Sequence, residues 1–187
     1  MTFEELKEIL VSLKPSEEIK KKEQEIFDFI PELEKSKGFN QNNPWHVYDV
    51  YEHILHVVDN VDDMFELRLA ALFHDIGKPY VYKEDANGIG HFYNHWLVSE
   101  EIFNKFATRE SMDEKTIKRI SKLIFYHDKS LNKLDDHELA CVLSQFSQEE
   151  LIMLYKLKRA DLMAQNEEYH YLLSDYDKEE KELLKKY

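Results

Sequence analysis

Nine histidines punctuate a chain of 187 residues, and their surroundings say more than their number. His53 follows Val50 by three residues and precedes Val57 by four. It therefore falls on the apolar stripe Val50, Ile54, Val57, Val58 and Val61 of a helical stretch. His56, among Glu52, Asp59 and Asn60, falls on the wet face of the same helix. His74 and Asp75 stand together at the end of the most apolar stretch of the chain, where a carboxylate is costly unless paired or metal-bound. His127 follows Ile117, Ile120 and Ile124 at helical spacing, and His95 opens another helix. Asp161 sits near Leu154 and Leu157 in an amphipathic segment.

Taken singly, each of these groups has an ordinary reading. A histidine on an apolar stripe is commonly a core residue bonded to backbone, and Asp161 could pair with Lys158 or an arginine. Taken together, they ask one small core to satisfy several buried polar groups separately. A shared divalent ion does it in one stroke. Imidazole and carboxylate suit Mn, Fe, Co, Ni or Zn, with Mg a further option, and no thiolate set selects a cysteine-rich site. Such an ion lowers the pKa of bound water and supplies a nucleophile near neutral pH.

The elements that must position these groups read as helices: Phe3 to Leu13, Ser16 to Ile30, Val47 to Phe65 and Leu67 to Ile76, the last stopped by Gly77 and Pro79. Tyr80 to Tyr93, with Asn87–Gly88 and Gly90, reads as a short hairpin or ordered loop. Helices resume at Asn94 to Thr108, Asp113 to Asp128, Asp135 to Phe146 and Gln148 to Asn166, where Ser147 and Glu150 form a capping-box signature. The charged stretch Glu167 to Tyr187 reads as a solvated or partner-bound terminal helix, frayed at its end. Four glycines and four prolines are too few for an all-β sandwich or barrel, so the fold class is all-α.

Lys and Arg total 25 against 38 Asp and Glu, a formal charge of −13. That field repels a long polyanion and an anionic membrane, but a small phosphorylated substrate needs only local positive charge. Cys141 is single and forms no internal disulfide, no secretory leader is expected because Glu4, Glu5, Lys7 and Glu8 interrupt the start, and no apolar run approaches the ~20 residues of a membrane span. A cytoplasmic, reducing setting is expected.

His53, then His74–Asp75–Ile76–Gly77–Lys78, then Asp161 resembles the HD-domain superfamily of metal-dependent phosphohydrolases. Within it, the chain is most similar to the HD domain of bacterial tRNA nucleotidyltransferases, the CCA-adding and poly(A) polymerase-like enzymes. That likeness rests on Ile30–Pro31–Glu32–Leu33, on Gln41, Pro44, His46 and Tyr48–Asp49–Val50 before His53, and on Gly90–His91–Phe92–Tyr93 with His95. Ser99, His127 and Ala160–Asp161 complete it, over about residues 28 to 166. The resemblance implies an HD-domain-like helical bundle with its site between helices. It divides the chain into an N-terminal helical extension (1–27), the HD phosphohydrolase domain (28–166) and a charged helical tail (167–187).

The resemblance implies further that His53, His74, Asp75 and Asp161 hold one metal, and that His95 and His127 occupy the places of a second, bridged by Asp75. Asp75 and Lys78 are the implied catalytic pair, with Lys78 on a substrate phosphate or, alternatively, an exposed lysine at a helix end. His46 and His91 line the substrate pocket or cap turns. The chain opens at Met1 without nucleotidyltransferase or tRNA-binding segments, and is expected to stand alone. The expected activity is phosphomonoester or phosphodiester hydrolysis of a small compound, a nucleotide or cyclic nucleotide. The alternatives are a non-catalytic HD-fold regulatory module and a phosphohydrolase of RNA ends. The sequence leaves the oligomeric state open.

Overall fold

The computed structural model describes residues 1–187, and most of its helix boundaries have a local chemical cause. Helix α1 (Phe3–Leu10) starts behind a capping box in which Thr2 and Glu5 each accept the other's backbone N–H. Helix α2 (Pro15–Lys21) opens on Pro15, whose missing N–H costs nothing there. The single helix predicted from Ser16 to Ile30 is in fact two. The chain breaks at Lys22 (φ −111°, ψ 26°) before α3 (Glu23–Phe29). No glycine or proline marks that break, so periodicity alone runs through it. Ile30 (φ −130°, ψ 77°) is kept out of the helical region by the proline that follows, and Pro31 opens the single turn α4 (Pro31–Glu34).

Helix α5 (Val50–Asn60) is capped by Asp49, whose carboxylate accepts from the Glu52 N–H at 2.7 Å. Helix α6 (Phe65–Phe73) is buried continuously from Leu67 to Phe73. Its one charged residue there, Arg68, spends its guanidinium on the carbonyls of Leu10 and Ser12, which ties α1 to the core. The stop predicted at Gly77 and Pro79 comes earlier. α6 ends at Phe73, the next four residues turn tightly, and Pro79 becomes the second residue of α7 (Lys78–Val81). Strands β1 (Lys83–Glu84) and β2 (Gly90–His91) then pair antiparallel, Lys83 opposite His91, so residues 80–93 do contain a hairpin. Asp85 organises its turn by accepting from the N–H groups of Asn87 and Ile89.

Helix α8 (His95–Arg109) is followed by α9 (Glu114–Tyr126), capped by Asp113. Helices α10 (Asp136–Leu143) and α11 (Gln148–Met163) each start at a capping box, and that of α11 is the Ser147–Glu150 pair legible in the sequence. A 3-10 turn over Glu167–Leu172 leads into α12 (Leu173–Leu184).

Helix α6 is the axis of an all-α bundle, with α5, α8, α9 and α11 packed around it. Phe73 on α6 meets Phe103 and Phe106 of α8 at ring separations of 5.5 and 5.0 Å. Of the two forms expected for the terminal helix, solvated or partner-bound, the fully solvated one does not hold. α12 lies along α11, burying Leu183 and Glu179, with Tyr176 edge-on to Tyr155. Its apolar residues are sparse but all turned to one side.

Candidate metal centre and substrate cleft

The bundle brings together the ends of several helices. His53 comes from the middle of α5, His74 and Asp75 from the turn after α6, and His95 from the first residue of α8. His127 is the residue at which α9 ends, and Asp161 comes from the last turn of α11. The four histidines and Asp75 are all buried. Around Asp75 Oδ2, the Nε2 atoms of His53 and His74 both lie at 3.2 Å. Around Oδ1 of the same residue lie His95 Nε2 at 3.1 Å and His127 Nε2 at 3.5 Å. Asp161 Oδ1 closes the first group, 3.0 Å from His53 and 4.0 Å from His74. Two donor sets result, His53–His74–Asp75–Asp161 and Asp75–His95–His127, sharing one carboxylate.

The backbone fixes which ring nitrogen faces the centre. The Nδ1 atoms of His74, His95 and His127 lie 2.7, 2.9 and 2.6 Å from the carbonyls of Ala71, Phe92 and Ile124, each three residues earlier. His53 Nδ1 meets the Ala164 carbonyl at 3.3 Å. A carbonyl only accepts, so every Nδ1 carries its proton and every neutral ring aims a bare Nε2 lone pair inward. The Nε2 pairs His53–His74 and His95–His127 face each other at 3.4 and 3.2 Å, where two bare lone pairs would repel unless a proton or a metal ion lies between them. Buried Asp75 has only the Lys78 ammonium, 2.6 Å from Oδ2, and the surrounding imidazoles to offset its charge.

Converging imidazole nitrogens and carboxylate oxygens favour positive charge between them, supplied by protons in the metal-free chain or by a metal ion. Burial disfavours charge on His53, yet the neighbouring Asp161 and Asp75 outweigh it and lift its pKa to about 9. Burial likewise opposes ionised Asp75, but His74 and Lys78 hold it well below the usual carboxylate range. Bonds of about 2.1 Å to one ion set its donor atoms roughly 3 to 4.2 Å apart, and the spacings here run from 3.0 to 4.0 Å. The residues present fit a divalent metal.

Gly77 permits the turn that aims this motif. A Cβ there would lie 2.5 Å from the His95 carbonyl and 2.7 Å from the Ser99 N–H, while the Gly77 N–H donates to Ser99 Oγ at 2.9 Å. The motif turn and the start of α8 therefore touch backbone to backbone. Gly90 does the same for the hairpin, its N–H donating to the Asn42 carbonyl while a side chain would strike that of Gln41.

The centre opens into a cleft of about 380 Å³. Lys78 is not the exposed helix-end lysine of the alternative reading but 5% exposed. Its Nζ donates to Gln41 Oε1 at 2.9 Å and stands 3.4 Å from His46 Nε2. Burial, and Lys78 beside it, push the His46 imidazole down to about 2, so that ring is neutral. His91 lies at the cleft wall, stacked on Tyr93 and 3.3 Å from the Asp85 carboxylate. His56 takes no part, stacking on Tyr48 at 4.2 Å.

Several lining residues escaped sequence reasoning. Trp45, Trp96, Asp128, Gln165 and Tyr176 also face the cleft. Lys158 is fully buried and turns from Asp161 to main-chain carbonyls. Its one sequence signal is a charge between Leu154 and Leu162, one turn away on either side.

Residues 45–181 match the family model of the HD domain. This chain belongs to the HD domain family. The HD match contains every donor of both sets and continues into α12. HD domains bind divalent metals and form a superfamily of metal-dependent phosphohydrolases. The chain is also 31% identical over 104 residues to the A-adding tRNA nucleotidyltransferase of Deinococcus radiodurans, which covers 52% of this chain and 24% of that protein. It is 30% identical over 105 residues to the CC-adding tRNA nucleotidyltransferase of Thermus thermophilus, covering 53% and 24% respectively. The alignments thus span about a quarter of each relative. No helix of this HD protein is long and apolar enough to cross a membrane.

Proposed function

We propose that this HD domain is a metal-dependent phosphohydrolase of a small phosphorylated compound, a nucleotide or cyclic nucleotide. The observation that carries it is the pair of donor sets sharing Asp75 at the floor of an open cleft. His53, His74, Asp75 and Asp161 would hold one divalent ion, and Asp75, His95 and His127 a second. Divalent metal chemistry at such a set supplies hydroxide near neutral pH and offsets charge developing on phosphoryl oxygens.

The chain's own residues do the rest. Backbone carbonyls lock the four imidazoles in one tautomer, so no ring must reorient to bind. Lys78 places a fixed positive charge at the cleft wall, oriented by Gln41 and neutral His46, where a substrate phosphate can meet it. Among the lining residues Lys78 alone is a lysine or arginine, which suits one phosphate better than a string of them. Trp45, Phe92, Tyr93, Trp96 and Tyr176 give the cleft aromatic surfaces that suit a planar base.

The names of the relatives raise a second reading, hydrolysis at an RNA end. The chain's charge of −13 and the single cationic side chain in the cleft disfavour it. The test is bound metal per chain by elemental mass spectrometry on protein purified without chelator. Phosphate release from mononucleotides and ring opening of 2′,3′-cyclic nucleotides are then assayed. One to two ions and turnover are expected, and Asp75→Ala should lose both. Turnover retained in Asp75→Ala, or no metal uptake after incubation with Mn, Co, Fe, Ni and Zn, overturns the proposal.

A further inference from the structure

We infer that Lys158 is a positioning residue for the His95–His127 half of the metal centre. Lys158 is 2% exposed on α11, one turn before Asp161. Its Nζ donates to the His127 carbonyl at 2.8 Å and the Lys129 carbonyl at 2.7 Å. These carbonyls lie at and just beyond the end of α9, where a helix leaves its last acceptors without partners. A buried ammonium there satisfies two acceptors at once and suits the negative end of the helix dipole. The backbone it grips carries the His127 ring and, next along, Asp128 of the cleft wall.

The same loop is held from a second side. Glu179 of α12, 8% exposed, accepts the Asn132 N–H at 2.7 Å, and the Tyr176 ring lies 5.7 Å from Lys158 Nζ. Residues 127–132 are thus held between α11 and α12, and with them the end of α9 from which the His127 ring reaches Asp75. The other half takes both of its histidines from elements that Lys158 does not touch, α5 and the turn after α6. His53 is anchored on Ala164 and His74 on Ala71. A methionine of similar length would fill the same space without donating to either carbonyl, so replacing Lys158 by Met removes the ammonium's share of the grip and leaves that of Glu179.

The inference rests on the two-ion reading of the centre, and the experiment separates the two. Full-length protein and its Lys158→Met variant are titrated with Co(II) and with Mn(II), bound ions are counted by elemental mass spectrometry, and helix content is checked by circular dichroism. His127→Ala serves as the reference for a missing second half-site. The wild type should take two ions. Lys158→Met should keep the first with unchanged affinity and bind the second at least tenfold more weakly. If Lys158→Met does not fold, Lys158→Gln, which can reach one carbonyl, should weaken the second ion alone by at least threefold. Second-ion affinity equal to wild type in whichever variant folds, or equal loss of both ions, overturns the role of Lys158 and leaves the metal centre standing. A wild type that takes one ion removes the half-site Lys158 would serve, and one that takes none overturns the hydrolase reading itself.

Discussion

Lys78 carries its charge into a place where a lysine is rarely found. Its ammonium is buried beside Asp75, with Gln41 and His46 as acceptors, at the wall of the cleft. A charge-assisted hydrogen bond to a phosphate is worth about 1.5 to 3 kcal/mol, and tenfold in rate corresponds to about 1.4 kcal/mol. Lys78→Met should therefore lower kcat/KM for a phosphate ester roughly 10- to 100-fold with the metal content unchanged. Steady-state kinetics alongside metal analysis checks this, and an unaltered kcat/KM would remove Lys78 from the substrate site. At this scale the sequence was readable where a polar group interrupted an apolar stripe. His53, His74, Asp75, His127 and Asp161 could be named that way, and the structure brings them together with His95. Lys158 could not. A lysine stem on an apolar stripe ordinarily snorkels to water, and the carbonyls it caps lie some thirty residues away in the chain.

Between elements, the closest constraint is the crossing of the motif turn with α8. Gly77 lies against the His95 carbonyl and Ser99, so an added methyl forces the two backbones apart. Overpacking of this kind costs about 1 to 3 kcal/mol, so Gly77→Ala should lower the urea midpoint by that amount of stability. Because His95 starts α8, the same shift should weaken metal binding at the His95–His127 half first. A Gly77→Ala protein with wild-type stability would mean the turn yields at no cost. Although α5 starts at Val50 behind Asp49, later than the Val47 read from periodicity, helix starts were legible where the cap is local, as with Asp113, Asp135 and Ser147. The break at Lys22 was not, for lack of any residue that signals it. Nor was the docking of α12, whose grip on the bundle comes from Leu183, Tyr176 and a buried Glu179 rather than a continuous apolar stripe.

For the whole molecule, the all-α class followed from few glycines and prolines and from helical periodicity, and the HD resemblance named the bundle. Charge bears on what reaches the cleft. At −13 the chain repels anions at long range, while attraction to a phosphate is local to Lys78 and any bound metal. Salt acts oppositely on the two candidate substrate classes. For a mononucleotide the main long-range effect is repulsion, screened over about 10 Å at 0.1 M salt. Its kcat/KM should therefore hold steady or rise between 50 and 200 mM salt. A site built for an RNA end would gain affinity by releasing counterions from many phosphates, and a protein making six to ten such contacts loses roughly 10³ to 10⁵ in affinity over that range. Mononucleotide turnover measured across this salt series, with and without tRNA as competitor, distinguishes them. Weak, salt-insensitive competition by tRNA is expected. Tight inhibition at 50 mM that collapses by 200 mM would show that this surface, for all its net negative charge, concentrates some of its 25 lysines and arginines into a nucleic-acid track, and the RNA-end reading would replace the small-substrate one.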